Sequence, residues 1–143
     1  NLRDTELAHQ SAESALREAE TFINNLTSLT ALTNTNGLYR SGFEAAKLEP
    51  DYLDRGTWDP ATTSNYTTAN DLGGTAQLAS APKYIIKHLG VEDICNTTGL
   101  SDPNNAFNTD LCKREIFRVT AYGTGVTPDT TKVLQAYFEL NKL

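Results

Sequence analysis

Histidines, cysteines and the acid- or glycine-rich loops are the places where this chain could carry chemistry. The chain has two histidines, His9 and His88. Neither has a second histidine four residues away or any other partner at metal-ligand spacing, so each reads as a surface or edge residue. Gly73-Gly74 and Gly123-x-Gly125 do not sit between a strand and a helix, which leaves phosphate binding unsupported. No serine occupies a nucleophile elbow. Ser101 to Asp110 (SDPNNAFNTD) gathers Asp102, Asn104, Asn105, Asn108 and Asp110, an oxygen-rich loop of the kind that can hold Ca²⁺. Its spacing is not that of an EF-hand and it lacks the closing bidentate Glu. A solvated turn is therefore the stronger reading, and Asp102, Asn104, Asn108 and Asp110 are a weak calcium candidate. No other metal and no cofactor is expected. The triplets beginning at Asn25, Asn65 and Asn96 match the N-glycosylation pattern, but a chain rich in Asn and Thr produces such matches by chance, and Asn25 falls inside a predicted helix. These residues assemble no catalytic constellation, and an enzyme is the least expected class.

Cys95 and Cys112 are the only thiols. They bracket a segment without regular periodicity whose flanks are rich in Asn, Thr and Asp. Closing that loop would stabilise the fold by roughly 3 kcal/mol in the chain-entropy model. A pair with none left over points to a disulfide and an oxidising compartment. The alternative is a pair of buried, reduced cysteines in a cytosolic protein.

The elements that must position these residues begin with Leu7 to Leu32. Apolar residues at Ala8, Ala12, Ala15, Leu16, Ala19, Phe22, Ile23, Leu26 and Leu29 follow the three-four spacing of an amphipathic helix. Glu6, Gln10, Glu13, Arg17, Glu20, Asn24 and Asn25 take the opposite face. Glu13 and Arg17 stand four apart with the acid first, the favoured order for a helix ion pair. The helix is expected to be roughly 40 Å long and to stop in the polar cluster Thr33 to Gly37; Asp4 is a candidate cap for a start at Thr5. Residues 37–81 read as an irregular connection in which Trp58 is an anchor to the core. Three strands follow, at Pro82 to Leu89, Glu115 to Tyr122 and Thr131 to Leu140, each with an apolar and a more polar face. Gly123 to Thr130 supplies the turn between the last two.

The predicted class is thus α+β: a helical spine over 1–36, the irregular region 37–81, and over 82–143 an antiparallel sheet covered on one side, all in a single domain of 143 residues. A net charge of −6 with no basic run argues against nucleic-acid binding. A mean hydropathy of −0.44 fits a water-soluble chain, and no stretch approaches the roughly 20 apolar residues of a membrane span. A short sheet covers only part of a helix this long. The N-terminal half of the stripe, Leu2, Leu7, Ala8, Ala12 and Ala15, is therefore expected to lie beyond the sheet and meet another subunit. The opening at Asn1-Leu2-Arg3, with Leu2 continuing the stripe, predicts a spine that extends upstream.

Asn1 to Ile23 (NLRDTELAHQSAESALREAETFI) resembles the segment after the membrane helix in PilX-like minor pilins of type IV pili. Phe117 to Leu134 (FRVTAYGTGVTPDTTKVL), with Gln135 and Tyr137, resembles their C-terminal strand pair. The resemblance covers about a third of the chain. It implies the type IV pilin fold, a helical spine packed on an antiparallel sheet with a disulfide in the C-terminal half. It also implies a leader peptide and an apolar helix that spans the inner membrane, with a periplasmic domain, before incorporation into the pilus fibre at the cell surface. The implied role is non-enzymatic: priming of pilus assembly at or near the tip, beside other minor pilins, the major pilin, a tip adhesin and the inner-membrane assembly machinery, with links to cell adhesion and twitching motility. A minor pseudopilin of a type II secretion system and an extracellular adhesive binding module are the alternatives.

Overall fold

The computed structural model describes residues 2–41, 49–70, 77–94 and 112–143. Helix α1 spans Leu2–Asn24, and its buried residues Asp4, Ala8, Ser11, Ala12, Ala15, Ala19 and Ile23 recur at three-four spacing. Most are small, so the helix lies close to whatever it packs on. At about 1.5 Å per residue it is roughly 35 Å long.

The helix ends well before the expected stop. The Ser28 side chain competes for a backbone hydrogen bond: it accepts the Thr30 N–H and opens a 3₁₀ turn at Leu29–Ala31. Leu26, Leu29 and Leu32 still pack on the core from this bend, so the apolar spacing outlasts the helix that it predicts. Gly37 is not a helix stop. It sits at φ +79°, with Asn34 and Asn36 also left-handed, in the turn that leads into the sheet.

Strands β1 (Leu38–Tyr39), β2 (Thr67–Thr68), β3 (Lys83–Asp93), β4 (Lys113–Thr124) and β5 (Thr131–Asn141) form one five-stranded sheet in the order β1-β3-β4-β5, with β2 also pairing β3. The long pairs β3–β4 and β4–β5 are antiparallel, with Phe117 opposite both His88 and Phe138. β1, however, runs parallel to β3 with Leu38 opposite Ile86. The sheet is therefore mixed, not purely antiparallel. The long 40–82 connection supplies the crossover a parallel pair needs, and the Ile86 N–H seats β1 through the Gly37 carbonyl at 2.7 Å. Two residues of strand leave no periodicity to read.

Two cores result, one on each face of the sheet. On the helix side, Ala15, Ala19, Ile23 and Leu32 pack on Tyr84, Ile86, Phe117, Val119 and Ala121. On the other side, Tyr39, Trp58, Tyr66, Ile85 and Tyr122 gather with Tyr52. The sheet is thus covered on both faces along β3 and the adjoining end of β4, where Lys83 to Ile86 are buried in succession, while β5 is covered on the helix side alone, with Val133, Gln135, Tyr137 and Glu139 exposed on the other. The second cover comes from 3₁₀ turns at Arg55–Trp58 and Pro60–Asn65, within the region expected to be irregular. Trp58 is the anchor there, its indole N–H donating to the Tyr52 carbonyl at 3.0 Å.

Candidate assembly surface and the buried polar groups

The predicted interface stripe divides once the helix is docked. Leu2 is 90% exposed and Leu7 is half-buried. Ala8, Ala12 and Ala15 are fully buried, because β4 extends to Thr124 and the sheet reaches under the first half of the helix. The expectation that these alanines lie beyond the sheet is corrected accordingly. A Cβ on Gly123 would stand 2.4 Å from both the Ala12 nitrogen and the Ala8 carbonyl oxygen, and one on Gly125 would stand 2.1 Å from the Asp4 carboxylate. Gly123-x-Gly125 is therefore the groove that accepts the helix backbone. Its glycines permit close approach of two chain segments, and a turn was only part of its role.

Asp4 completes this contact. It lies inside the first helical turn, not before it as a cap, and its Oδ1 accepts the Val126 N–H at 2.6 Å from the β4–β5 turn. Hydrogen bonds from Thr130, Thr127 and Val126 hold its carboxyl below the ordinary value, with burial opposing them. The alternative start at Thr5 and the capping reading both miss that the partner lies more than a hundred residues away.

The outward face of α1 carries the polar residues that the spacing predicted. His9 Nε2 lies 3.1 Å from Glu13 Oε1, and an Arg17 guanidinium nitrogen lies 3.9 Å from Glu13 Oε2. All three side chains are well exposed, so this network contributes little to stability and remains available to a partner. Asn25 lies in the exposed turn just after the helix, not within it.

His88 is not an edge residue. With Tyr84 and Ile86 it faces the helix side, where its ring lies 5.1 Å from that of Phe117. Its Nε2 is 2.5 Å from Glu115 Oε2, and the two side chains are 4% and 2% exposed. Ser41 Oγ lies 2.9 Å from Nδ1. A Ser–His–carboxylate chain has the composition of a nucleophilic triad, yet its base and acid are closed off inside the core. It is better read as a buried polar tie that satisfies both ring nitrogens and joins the residues after β1 to β3 and β4. The signal was present in the alternation, since residues 84, 86 and 88 share a face, but a lone His in a strand does not announce its partner.

On the opposite face, Lys83 is buried and its Nζ donates to the Trp58 carbonyl at 2.6 Å. Arg118 pairs with Glu49 and lies over the Tyr52 ring. Burial pushes the Glu49 carboxyl up, against the pull of Arg118 and Lys87. Sequence periodicity revealed neither pair.

The Ile94 N–H donates to the Cys112 carbonyl at 2.7 Å, which brings the residue before Cys95 beside Cys112. Cys95 and the calcium candidates Asp102, Asn104, Asn108 and Asp110 lie outside the described residues. Among the described residues no group of His, Cys, Asp and Glu could hold a metal ion, and no helix is long and apolar enough to cross a membrane.

Compared with known proteins, residues 23–140 match the family described as type IV pilus assembly protein PilX, C-terminal part. The match runs through the middle of the chain, which the residues quoted above for the resemblance leave out. No curated protein and no solved structure matches the chain.

Proposed function

The chain belongs to the PilX family of type IV pilus assembly proteins, and from that premise we propose that it is a minor pilin that primes assembly at or near the pilus tip through non-enzymatic subunit contacts. Membership carries the involvement in pilus assembly. One structural observation supports the mode of contact: α1 spends its small-residue face on its own sheet, while Leu2 and the His9–Glu13–Arg17 face stay outside and Leu7 is half-buried. Buried alanines cannot serve as the interface, so the proposed surface is this outward face and the exposed end at Leu2. Its partners on this reading are the helices of other minor pilins and of the major pilin, with a tip adhesin and the inner-membrane assembly machinery engaged by the whole protein. The full-length protein is proposed to be anchored in the inner membrane with this domain in the periplasm, and to enter the fibre on assembly. A bridge between Cys95 and Cys112 would suit that compartment, and the Ile94–Cys112 hydrogen bond supports the pairing.

The test is removal of the gene and its restoration at native level, with surface pili counted by electron microscopy. Pili are expected to fall in number and to return with the full-length protein. Unchanged piliation together with loss of secreted exoproteins would overturn the proposal in favour of a secretion pseudopilin. Specific ligand capture by the isolated domain, with piliation intact, would favour an adhesive module.

A further inference from the structure

A cleft of about 450 Å³ opens between the 55–60 turn, the paired ends of β3 and β4, and the β4–β5 turn. That is within the size range of small-molecule sites. Its walls include Trp58, Pro60, Tyr122 and Pro128 on the apolar side and Arg55, Asp59, Ser80, Lys83 and Thr124 on the polar side. We propose that this cleft binds a small hydroxylated carboxylate of the size of a uronic acid, with Lys83 and Arg55 facing its carboxylate and Ser80 and Asp59 facing its hydroxyls.

Charge is the main reason. Lys83 is 5% exposed, and no carboxylate among the described residues forms an ion pair with it. Its ammonium is held by the Trp58 carbonyl at 2.6 Å and by the faces of Tyr66 and Tyr122, 4.7 and 5.7 Å from the ring centroids. A buried cation compensated only by a carbonyl and π faces is costly unless an anion approaches. Burial lowers its proton affinity, and only the more distant Asp59 opposes that loss; a bound carboxylate would oppose it directly. Arg55 stands at the rim, its guanidinium 3.1 Å from Asp129 and 3.0 Å from the Pro128 carbonyl. In a chain of net charge −6, an anion site has to carry its own cations; here Arg55 is already paired with Asp129, so the cation left for an incoming anion is Lys83. Asp59 already uses Oδ1 to accept the Ala61 N–H at 2.9 Å. The Thr124 hydroxyl is engaged with Ser80, accepting its N–H at 3.0 Å and donating to its carbonyl at 3.3 Å; the other Asp59 oxygen and the Ser80 hydroxyl, 3.4 Å from Thr124 Oγ1, are the hydrogen-bonding groups that face a polyol.

The chain's single tryptophan lines the cleft, so its fluorescence reports binding directly. The 143-residue chain is titrated at constant ionic strength with D-glucuronate, D-glucose and acetate. Glucuronate is expected to give a saturable change at millimolar concentration, with glucose and acetate each at least 10-fold weaker. Lys83→Met, confirmed as folded by its melting transition, should abolish the change. If that variant does not fold, Arg55→Gln is used instead and should weaken binding at least 5-fold. The absence of saturation, equal response to acetate or glucose, or unchanged affinity in the folded variant would each overturn the assignment.

Discussion

The two faces of the sheet are built on different principles. On the helix side, Ala8, Ser11 and Ala12 meet Gly123, and Asp4 meets Gly125, with backbone nearly touching backbone, while larger side chains, Ile23 and Phe117, fill the lower half. On the other side, aromatic rings do the covering: Trp58 stacks on Tyr122 at 5.0 Å and nearly parallel, with Tyr66 beyond. Buried or half-buried charges, Lys83, Arg118 and Glu49, are threaded among these rings. The first face is a fit of shapes and tolerates almost no added volume. The second is a layer of short turns held by a few rings and polar ties. The difference teaches that the helix and β3–β5 form the rigid scaffold, while the 49–66 layer is the part that can loosen without dissolving it.

The contrast breaks most sharply at Gly123. Its added Cβ would collide with main-chain atoms of α1 that have no rotamer to escape by, so Gly123→Val should cost about 3 kcal/mol or more, read as a drop in the denaturation midpoint with the transition still monitored through α1. Trp58→Ala should cost about 3 kcal/mol by removing a buried ring, but with a different pattern. Hydrogen exchange is expected to rise across residues 51–66 while the amides of α1 and β4 remain protected. Equal loss of protection in both layers would show that the faces do not differ in this way.

The two faces also respond oppositely to pH. Asp4 titrates below its ordinary value of 3.8, so the fold prefers its ionised form. Its contribution is present above that value and is lost as pH falls through the lowered pKa. Glu49 titrates above 4.5, so the fold prefers its protonated form, and stability declines as pH climbs from 4.5 through the raised value. Asp4→Asn should therefore lower the melting temperature at pH 7 and lose that difference in strong acid. Glu49→Gln should flatten the decline above pH 4.5. Melting temperatures from pH 2 to pH 7 for the three proteins check both signs.

Legibility in the sequence followed the range of each signal. The amphipathic spacing from Ala8 to Ile23, the Glu13–Arg17 pair, the three long strands and the Trp58 anchor are local patterns, and the structure contains them. The early end of α1 was hidden because Leu26, Leu29 and Leu32 keep helical spacing while Ser28 supplies a competing cap. β1 and β2 are two residues each and have no period. The stripe shows the largest difference: Ala8, Ala12 and Ala15 lie over the sheet and not beyond it, because β4 runs over Lys113–Thr124 and is longer than its alternation from Glu115 to Tyr122 indicates. Gly123 and Gly125 carried the missing information, but a glycine pair that reads as a turn does not reveal that a helix lies across it. His88–Glu115, Lys83–Trp58 and Asp4–Val126 join residues 25 to 122 positions apart, a distance at which residue spacing says nothing.

The smallest stability effect belongs to the outward helix face, and there the functional effect should be greatest. Glu13→Ala combined with Arg17→Ala should change the stability of the domain by about 0.5 kcal/mol or less, because both side chains are exposed. The central claim is that this face, rather than the buried alanines, contacts other pilus subunits. It is tested by placing the double variant in the full-length protein as the only copy and counting surface pili. The account predicts a folded, normally expressed protein and a marked fall in piliation; normal pilus number at normal expression would contradict it.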